Sequence, residues 1–145
     1  MIMTKSQQAG RVIAVDLGQR RVGISISDSA RTIALPRPAL ENSEKLLADL
    51  RLLIEEEGAT AVVIGHPVHL NGSQGPSAQS AAKFADQLRL LLDDLGIEVA
   101  MHDERLTTVS AARSLQEAGT TTRGQRERID SASAVVLLES WLACQ

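Results

Sequence analysis

The sequence predicts an α/β fold in which helices flank a mixed five-stranded sheet, with elements in the order βββαβαβαα. The first third of the chain has three short apolar or alternating runs typical of strands. The remainder alternates helical periodicity with β-branched runs. A chain of 145 residues can bury a core without a disulfide or metal. We expect a flexible leader over residues 1–10 and one domain over residues 11–145.

The first two strands form a predicted hairpin. Val12–Val15 is a continuous apolar run, typical of a buried central strand, and it ends at Asp16. Val22–Ser27 alternates apolar residues with small or polar ones, so one of its faces is expected to be buried. The intervening residues 18–21 are few enough to join the two strands directly.

A third strand and the first helix follow. Thr32–Leu35 predicts a strand at the edge of the sheet, stopped by the prolines at positions 36 and 38. Leucines and an isoleucine recur at helical spacing over residues 46–54. The Asn-Ser pair at 42–43 offers an N-cap, and Gly58 suits the C′ position.

Strands and helices alternate over the rest of the chain. The predicted elements are strand Ala61–Ile64, a helix from Ala78 to Leu95, strand Ile97–Met101, a helix from Thr107 or Thr108 to about Gly119, and helix Ile129–Ala143. This order matches the ribonuclease H-like fold, an analogy that by itself says nothing about function.

Composition excludes several classes of function. One Phe, one Trp and no Tyr leave no aromatic platform for stacking single-stranded bases, and a net charge of −3 excludes a basic protein that coats polyanions. The single cysteine, Cys144, cannot form an internal disulfide, which fits a reducing cytoplasm. Without a visible signal peptide or membrane span, we expect a cytoplasmic protein with no membrane partner.

Basic residues are concentrated near the start of the chain. Residues 1–40 contain six bases and two acids, net +4, whereas residues 41–98 are net −6. This first segment, which includes Arg20 and Arg21, is placed to meet an anionic partner such as nucleic acid. The alternative is a solvated hairpin with exposed arginines.

Acidic residues close three predicted elements. Asp16 ends the first strand, Asp103 and Glu104 end the fifth, and Asp130 lies in the first turn of the last helix. Acids that converge from three regions are what Mg²⁺ needs, and two such ions can drive phosphodiester hydrolysis. The alternative is a separate structural role for each acid, in a turn or at a helix terminus.

The loop over residues 65–76 is long for a compact domain, which is typical of a functional segment. Its glycines let backbone amides approach a phosphate where the second helix begins. The nucleic-acid-binding candidates here and beside the acids are Gly65, Asn71, Gly72, Ser73, Arg105, Arg123, Arg126 and Arg128. The alternatives are an ordered crossover loop and solvated arginines. The histidines at 66, 69 and 102 do not have zinc-site spacing.

Over residues 11–142 the sequence resembles the YqgF/RuvX family. Four segments at the ends of elements carry the resemblance: Val15–Gly18 with Arg21–Ser25, Val63–Pro67 with Asn71–Ser73, Asp103–Thr108, and Ile129–Asp130. The resemblance implies a ribonuclease H-like fold and metal-dependent nuclease chemistry. The implied reaction is maturation of the 5′ end of pre-16S ribosomal RNA, or resolution of Holliday junctions.

The same resemblance implies roles for the acids. It implies that Asp16 is the metal ligand from the first strand. The second acid is Glu104, in preference to Asp103, and Asp130 is the acid on the last helix. They would bind Mg²⁺ or Mn²⁺ and cleave structured RNA, such as pre-rRNA, or branched DNA. The chain departs from the family pattern after Asp130, where Ser-Ala-Ser-Ala follows and relatives tend to have more alanine. It also has arginines before that helix where lysines are frequent.

Two other functions remain open at this point. A non-catalytic nucleic-acid-binding protein, such as a ribosome-assembly or transcription factor, would use the same scaffold without turnover. A sugar-kinase or actin-like phosphate site would explain Asp16-Leu17-Gly18, although such proteins duplicate the fold and 145 residues hold one copy. A Gly- and Ala-rich surface would permit a homodimer.

Overall fold

The computed structural model describes residues 10–67, 75–104 and 123–145, without the side chains of residues 77 and 123–130. Residues 1–9 of the leader predicted for residues 1–10, and the helix predicted from Thr107 or Thr108, lie outside these residues. The described elements are β1 (Arg11–Leu17), β2 (Arg21–Ser27), β3 (Ala34–Glu41), α1 (Leu46–Glu57), β4 (Ala59–His66), α2 (Pro76–Leu91), a 3₁₀ turn (Asp93–Leu95), β5 (Glu98–Asp103) and the C-terminal helix α3 (Arg123–Ala143).

The five strands form one mixed sheet in the order β3-β2-β1-β4-β5. β2 runs antiparallel to both β1 and β3, whereas β1, β4 and β5 are parallel to one another. The carboxyl ends of β1, β4 and β5 therefore meet at one edge of the sheet. The predicted mixed five-stranded sheet is confirmed.

Helices cover both faces of the sheet. On one face Ile13 and Val15 of β1 pack in a core that α1 and α2 also line. On the other face Val12 and Ala14 pack in a second core with Trp141 of α3. β1 is thus buried on both sides, which is why its sequence is a continuous apolar run and not an alternating one.

The third strand is longer than predicted. β3 runs through both prolines to Glu41, because it is an edge strand and a proline there does not remove a ladder hydrogen bond from the sheet interior. Val22 lies opposite Leu40, but Ile24 lies opposite Arg37, so β3 has one extra residue between these pairs. α3 docks on this bulge through the Ser131 hydroxyl.

Two helix ends differ from prediction. α2 ends at Leu91, and a 3₁₀ turn covers the residues up to Gly96, which has a left-handed φ of 63°. α1 begins at Leu46, and Lys45 before it makes no side-chain cap. Gly58 has a φ of 65°, which confirms its predicted place after α1.

No helix in the described part of the chain is long and apolar enough to cross a membrane.

The C-terminal helix begins at Arg123, and not at Ile129 as predicted. Gln125–Arg128 are intrinsically good helix formers, but they lack the apolar periodicity on which the prediction depended. The arginines at 123, 126 and 128 therefore lie on the helix and not in a preceding loop. Asp130 is correspondingly about two turns inside the helix and not in its first turn.

Three arginines of residues 1–40 make ion pairs, hydrogen bonds or ring contacts with other elements of the fold. Arg11 and Arg37 both pair with the Glu57 carboxylate at the end of α1. Arg31 donates from Nε to the Gly10 carbonyl at 2.8 Å, and its guanidinium lies 5.9 Å from the centre of the Trp141 ring. The basic charge of the first segment is thus partly structural.

Candidate active site

Asp16 lies near the carboxyl end of the central strand. Its side chain is 4% exposed, and strand alternation places it on the face that carries Val12, Ala14 and α3. Gly23 of β2 lies directly opposite Asp16. On the other side, Gly65 of β4 occupies the next register position after the Val15–Ile64 pair. Asp16 is therefore flanked on both neighbouring strands by residues without side chains.

Glu104 reaches the same place from β5. It follows the last residue of the strand and is 3% exposed. A β-carbon placed on Gly65 would stand 2.7 Å from Oε1 of Glu104 and 3.3 Å from Cδ2 of Leu137. The Glu104 carboxylate thus lies over the Gly65 backbone, on the α3 face of the sheet. This closeness depends on the absence of a side chain at residue 65.

Asp103 and Glu104 are separated by the geometry of β5. Val99 and Met101 pack in the core lined by α1 and α2, whereas Ala100 packs in the α3 core. Alternation along the strand places Asp103 with Val99 and Met101. The Glu104 carboxylate therefore shares the α3 face with Asp16, whereas Asp103 is placed on the opposite face.

The Ser131 hydroxyl joins α3 to the bulge between β2 and β3. It donates a hydrogen bond to the Arg37 carbonyl at 2.6 Å and accepts one from the Ile24 amide at 3.4 Å. These backbone groups are a register pair of the two strands. Ile24 directly follows Gly23, which lies opposite Asp16, so residue 130 of the helix backbone is held near Asp16. The Asp130 side chain itself is not among those described.

A hairpin turn closes the sheet beside Asp16. The Gly18 amide donates to the Arg21 carbonyl at 3.1 Å, and a β-carbon on Gly18 would stand 2.4 Å from that oxygen. Asn42 donates from Nδ2 to the Gly18 carbonyl at 2.7 Å and from its amide to the Arg20 carbonyl at 2.8 Å. Asn42 therefore holds the hairpin and does not cap α1, so the N-cap role predicted for Asn42 is wrong.

The predicted nucleic-acid-binding residues fall into three groups. Arg20 is exposed and Arg21 half-buried on the hairpin beside Asp16, and Gly65 lies under Glu104. Four others lie outside the described residues: Asn71, Gly72, Ser73 and Arg105. The last three, Arg123, Arg126 and Arg128, are on α3 directly before Asp130, with side chains that are not described.

His102 is a buried polar residue that the sequence predictions left without a role. Its Nε2 lies 2.9 Å from the Ser140 hydroxyl of α3. Burial lowers the pKa of His102 below its usual value, and the nearby Asp103 charge partly opposes this shift. Strand pairing places His102 opposite Gly65, the residue over which the Glu104 carboxylate lies. The only sequence signal was its place directly before the acidic pair.

A cleft of about 510 Å³ lies at the same end of β1, on the opposite face of the sheet. Leu17, Gly18 and Asn42 line one side, and Lys83 and Phe84 of α2 line the other. Lys83 was not predicted as a functional residue, because a single lysine in an amphipathic helix does not differ in sequence pattern from a solvent-exposed lysine. The cleft provides a basic side chain close to the hairpin and away from α3.

The described donors fit a hard divalent cation. Two nearly buried carboxylates, Asp16 and Glu104, supply oxygen ligands of the kind that Mg²⁺ and Mn²⁺ prefer. The glycines at 23 and 65 leave the sheet face around Asp16 without side chains. Among the described side chains, groups of three or more His, Cys, Asp or Glu that could hold a metal are absent. The side chain of Asp130, the third predicted ligand, is not among those described.

Comparison with known proteins identifies the family of this chain. A family model described as "RuvX: Holliday junction resolvase" matches residues 10–144. A protein of Rhodococcus jostii (strain RHA1) named "Putative pre-16S rRNA nuclease" is 42% identical over 139 residues, covering 92% of this chain and 77% of its own length. A protein with the same name from Roseiflexus sp. (strain RS-1) is 37% identical over 142 residues, covering 97% of this chain and 99% of its own length.

Solved structures show the same fold at low sequence identity. RuvC of T. thermophilus, in complex with a Holliday junction substrate, superposes with a TM-score of 0.57 at 13% identity, over 93% of this chain and 95% of its own. The fowlpox virus Holliday junction resolvase superposes with a TM-score of 0.54 at 10% identity, over 92% of this chain and 98% of its own. The predicted ribonuclease H-like fold is therefore confirmed, and with the family match the chain belongs to the RuvX family of Holliday junction resolvases.

Proposed function

We propose that this protein is a metal-dependent endonuclease that matures the 5′ end of pre-16S ribosomal RNA in the cytoplasm. Family membership makes it a nuclease, an enzyme that hydrolyses phosphodiester bonds. Relatives that align with 92% or more of the chain are named for pre-16S rRNA, which supports an RNA substrate. The observation that carries the proposal is the pair of nearly buried carboxylates, Asp16 and Glu104, on one face at one edge of the sheet.

Asp16 and Glu104, with Asp130 as the third acid, would hold Mg²⁺ or Mn²⁺ against the bare sheet face. Cations bound there would activate a water and stabilise the leaving oxygen of a phosphodiester. Asp16 is well suited to orient its oxygens because it lies on a central strand packed on both faces. The Glu104 carboxylate lies over the Gly65 backbone, so it would hold a cation on the same sheet face as Asp16.

Arginines around the acids would bind the nucleic acid. Arg20 and Arg21 lie on the hairpin that Asn42 holds rigid, next to Asp16. The three arginines of α3 come within two turns before Asp130. Because the chain has only two aromatic residues, we propose recognition of backbone and shape over base stacking.

A second candidate is resolution of branched DNA. The family description names Holliday junctions, and RuvC bound to such a junction shares the fold. The same acids would carry both reactions, because RNA and DNA present the same scissile group. The substrate assay below therefore includes both nucleic acids.

The test is a cleavage assay on a pre-16S rRNA fragment that spans the mature 5′ end and on a four-way DNA junction, with Mn²⁺ or EDTA. Asp16→Asn should lose cleavage and keep its circular dichroism spectrum. Asp86→Asn is the matched control, because Asp86 is exposed on α2 and forms an ion pair with Arg89 of the same helix. Parent cleavage in EDTA, or undiminished cleavage by Asp16→Asn, would refute the site. Binding without cleavage would favour a non-catalytic factor.

A further inference from the structure

One side of α3 faces β4 and β5. Leu137 contacts the position above Gly65, and the Ser140 hydroxyl bonds His102. Ser133 is four residues before Leu137 and seven before Ser140, so it lies on this same side of the helix. It is also one turn nearer the helix start than Leu137 and three residues after Asp130. Ser133 is therefore placed between the helix acid and the contact with Gly65.

The Ser133 hydroxyl is buried without a hydrogen-bond partner. Its side chain is 0% exposed, and Oγ has no donor or acceptor among the described atoms. Other buried serines at this interface are bonded: Ser25 donates to the Ala134 carbonyl at 2.7 Å, and Ser131 bridges two strands. A buried hydroxyl without a partner is unfavourable, and such groups commonly mark an ordered water or ion.

We propose that Ser133 binds the hydration shell of the divalent cation, its hydroxyl oxygen accepting a hydrogen bond from a metal-bound water. The inference rests on the proposed function, because it places the cation with Asp16, Glu104 and Asp130. Mg²⁺ keeps several of its waters when a few carboxylates bind it, and those waters need partners. Groups that orient such outer ligands commonly contribute 10- to 100-fold to metal affinity.

The proposal predicts opposite effects of one substitution on two measurements. Ser133→Ala should weaken Mn²⁺ binding by about 10- to 100-fold, measured by electron paramagnetic resonance titration of free Mn²⁺ without nucleic acid. In EDTA its melting temperature should equal or exceed that of the parent, because an unsatisfied buried hydroxyl is removed. A purely structural serine would instead lose stability and leave Mn²⁺ affinity unchanged.

Ser25→Ala is the matched control. Ser25 is buried at the same interface, but its hydroxyl is bonded to the Ala134 carbonyl, so the substitution should lower the melting temperature in EDTA and spare Mn²⁺ affinity. Ser133→Cys, which keeps nearly the same volume but bonds weakly, should weaken Mn²⁺ binding like Ser133→Ala. This second variant keeps the test valid if alanine perturbs the packing of α3.

Each outcome decides the proposal. If Ser133→Ala and Ser133→Cys bind Mn²⁺ as the parent does while Asp16→Asn does not, the role of Ser133 is refuted and the proposed nuclease site stands. If Ser133→Ala loses as much stability in EDTA as Ser25→Ala, its hydroxyl has a protein partner and the proposal is wrong. If the parent itself does not bind Mn²⁺, both the proposal and the metal site are refuted.

Discussion

The Glu104 carboxylate lies directly over the backbone of Gly65, with Oε1 2.7 Å from the point where a β-carbon on residue 65 would stand. A real side chain does not tolerate so short a contact, so the position of this acid depends on glycine in the neighbouring strand. The contact joins residues 39 positions apart, across the parallel pair of β4 and β5.

Gly65→Ala should impair catalysis more than it destabilises the fold. The added methyl meets the flexible end of Glu104 first, so the carboxylate moves while the strands stay in place. We expect a cost of about 1 kcal/mol in unfolding free energy and about a hundredfold loss in cleavage rate. Urea denaturation and a single-turnover assay measure the two effects. Equal rates for variant and parent would show that Glu104 is not needed where it lies.

Glu104→Gln and Asp103→Asn should differ sharply, because the Glu104 carboxylate lies on the α3 face of the sheet, whereas strand alternation places Asp103 on the opposite face. Glu104→Gln should lower the cleavage rate by at least about a hundredfold, whereas Asp103→Asn should stay within about threefold of the parent. The assay is cleavage of the same RNA in Mn²⁺. A larger loss from Asp103→Asn would move the ligand role to Asp103.

An internal control comes from His102 in the Asp103→Asn variant. The Asp103 charge partly offsets the effect of burial on His102, so its removal should lower the pKa of His102 further. A proton NMR titration of the imidazole measures this. An unchanged midpoint would show that the Asp103 charge does not influence His102.

Ser131→Ala should destabilise the protein by about 1–3 kcal/mol, because it leaves the Ile24 amide and the Arg37 carbonyl without their buried partner. Urea denaturation provides the measurement. Ser80→Ala, at an exposed position of α2, is the control and should change stability by less than about 0.5 kcal/mol. If both variants are equally stable, the hydroxyl bridge contributes nothing to docking of α3.

Acidification should destabilise the protein in part through His102. Because burial lowers its pKa below the usual 6.5, the unfolded chain takes up the proton first as the pH falls. This contribution is fully present above about pH 6.5 and is lost between that value and the lower folded pKa. The difference in unfolding free energy between about pH 7.5 and 5.5 should be smaller in His102→Gln than in the parent. An equal pH dependence would exclude His102 as a source.

Local patterns in the sequence predicted most of the elements. The apolar run before Asp16 predicted a central strand because residues buried on both faces must all be apolar. Gly58 predicted the end of α1 because a left-handed φ favours glycine. The same reasoning failed for the polar start of α3, where a helix exists without an apolar stripe, and for β3, whose edge position tolerates proline.

The sequence by itself determined the order of the described strands and helices, and it placed Asp16 and Glu104 at the ends of strands. Only the tertiary structure decided which residues surround them. The glycines opposite Asp16, the approach of Glu104 to Gly65 and the insertion of Ser131 into a bulge depend on strand register and helix docking. Such contacts join distant segments, and no local periodicity encodes them, because each is set by how whole elements pack.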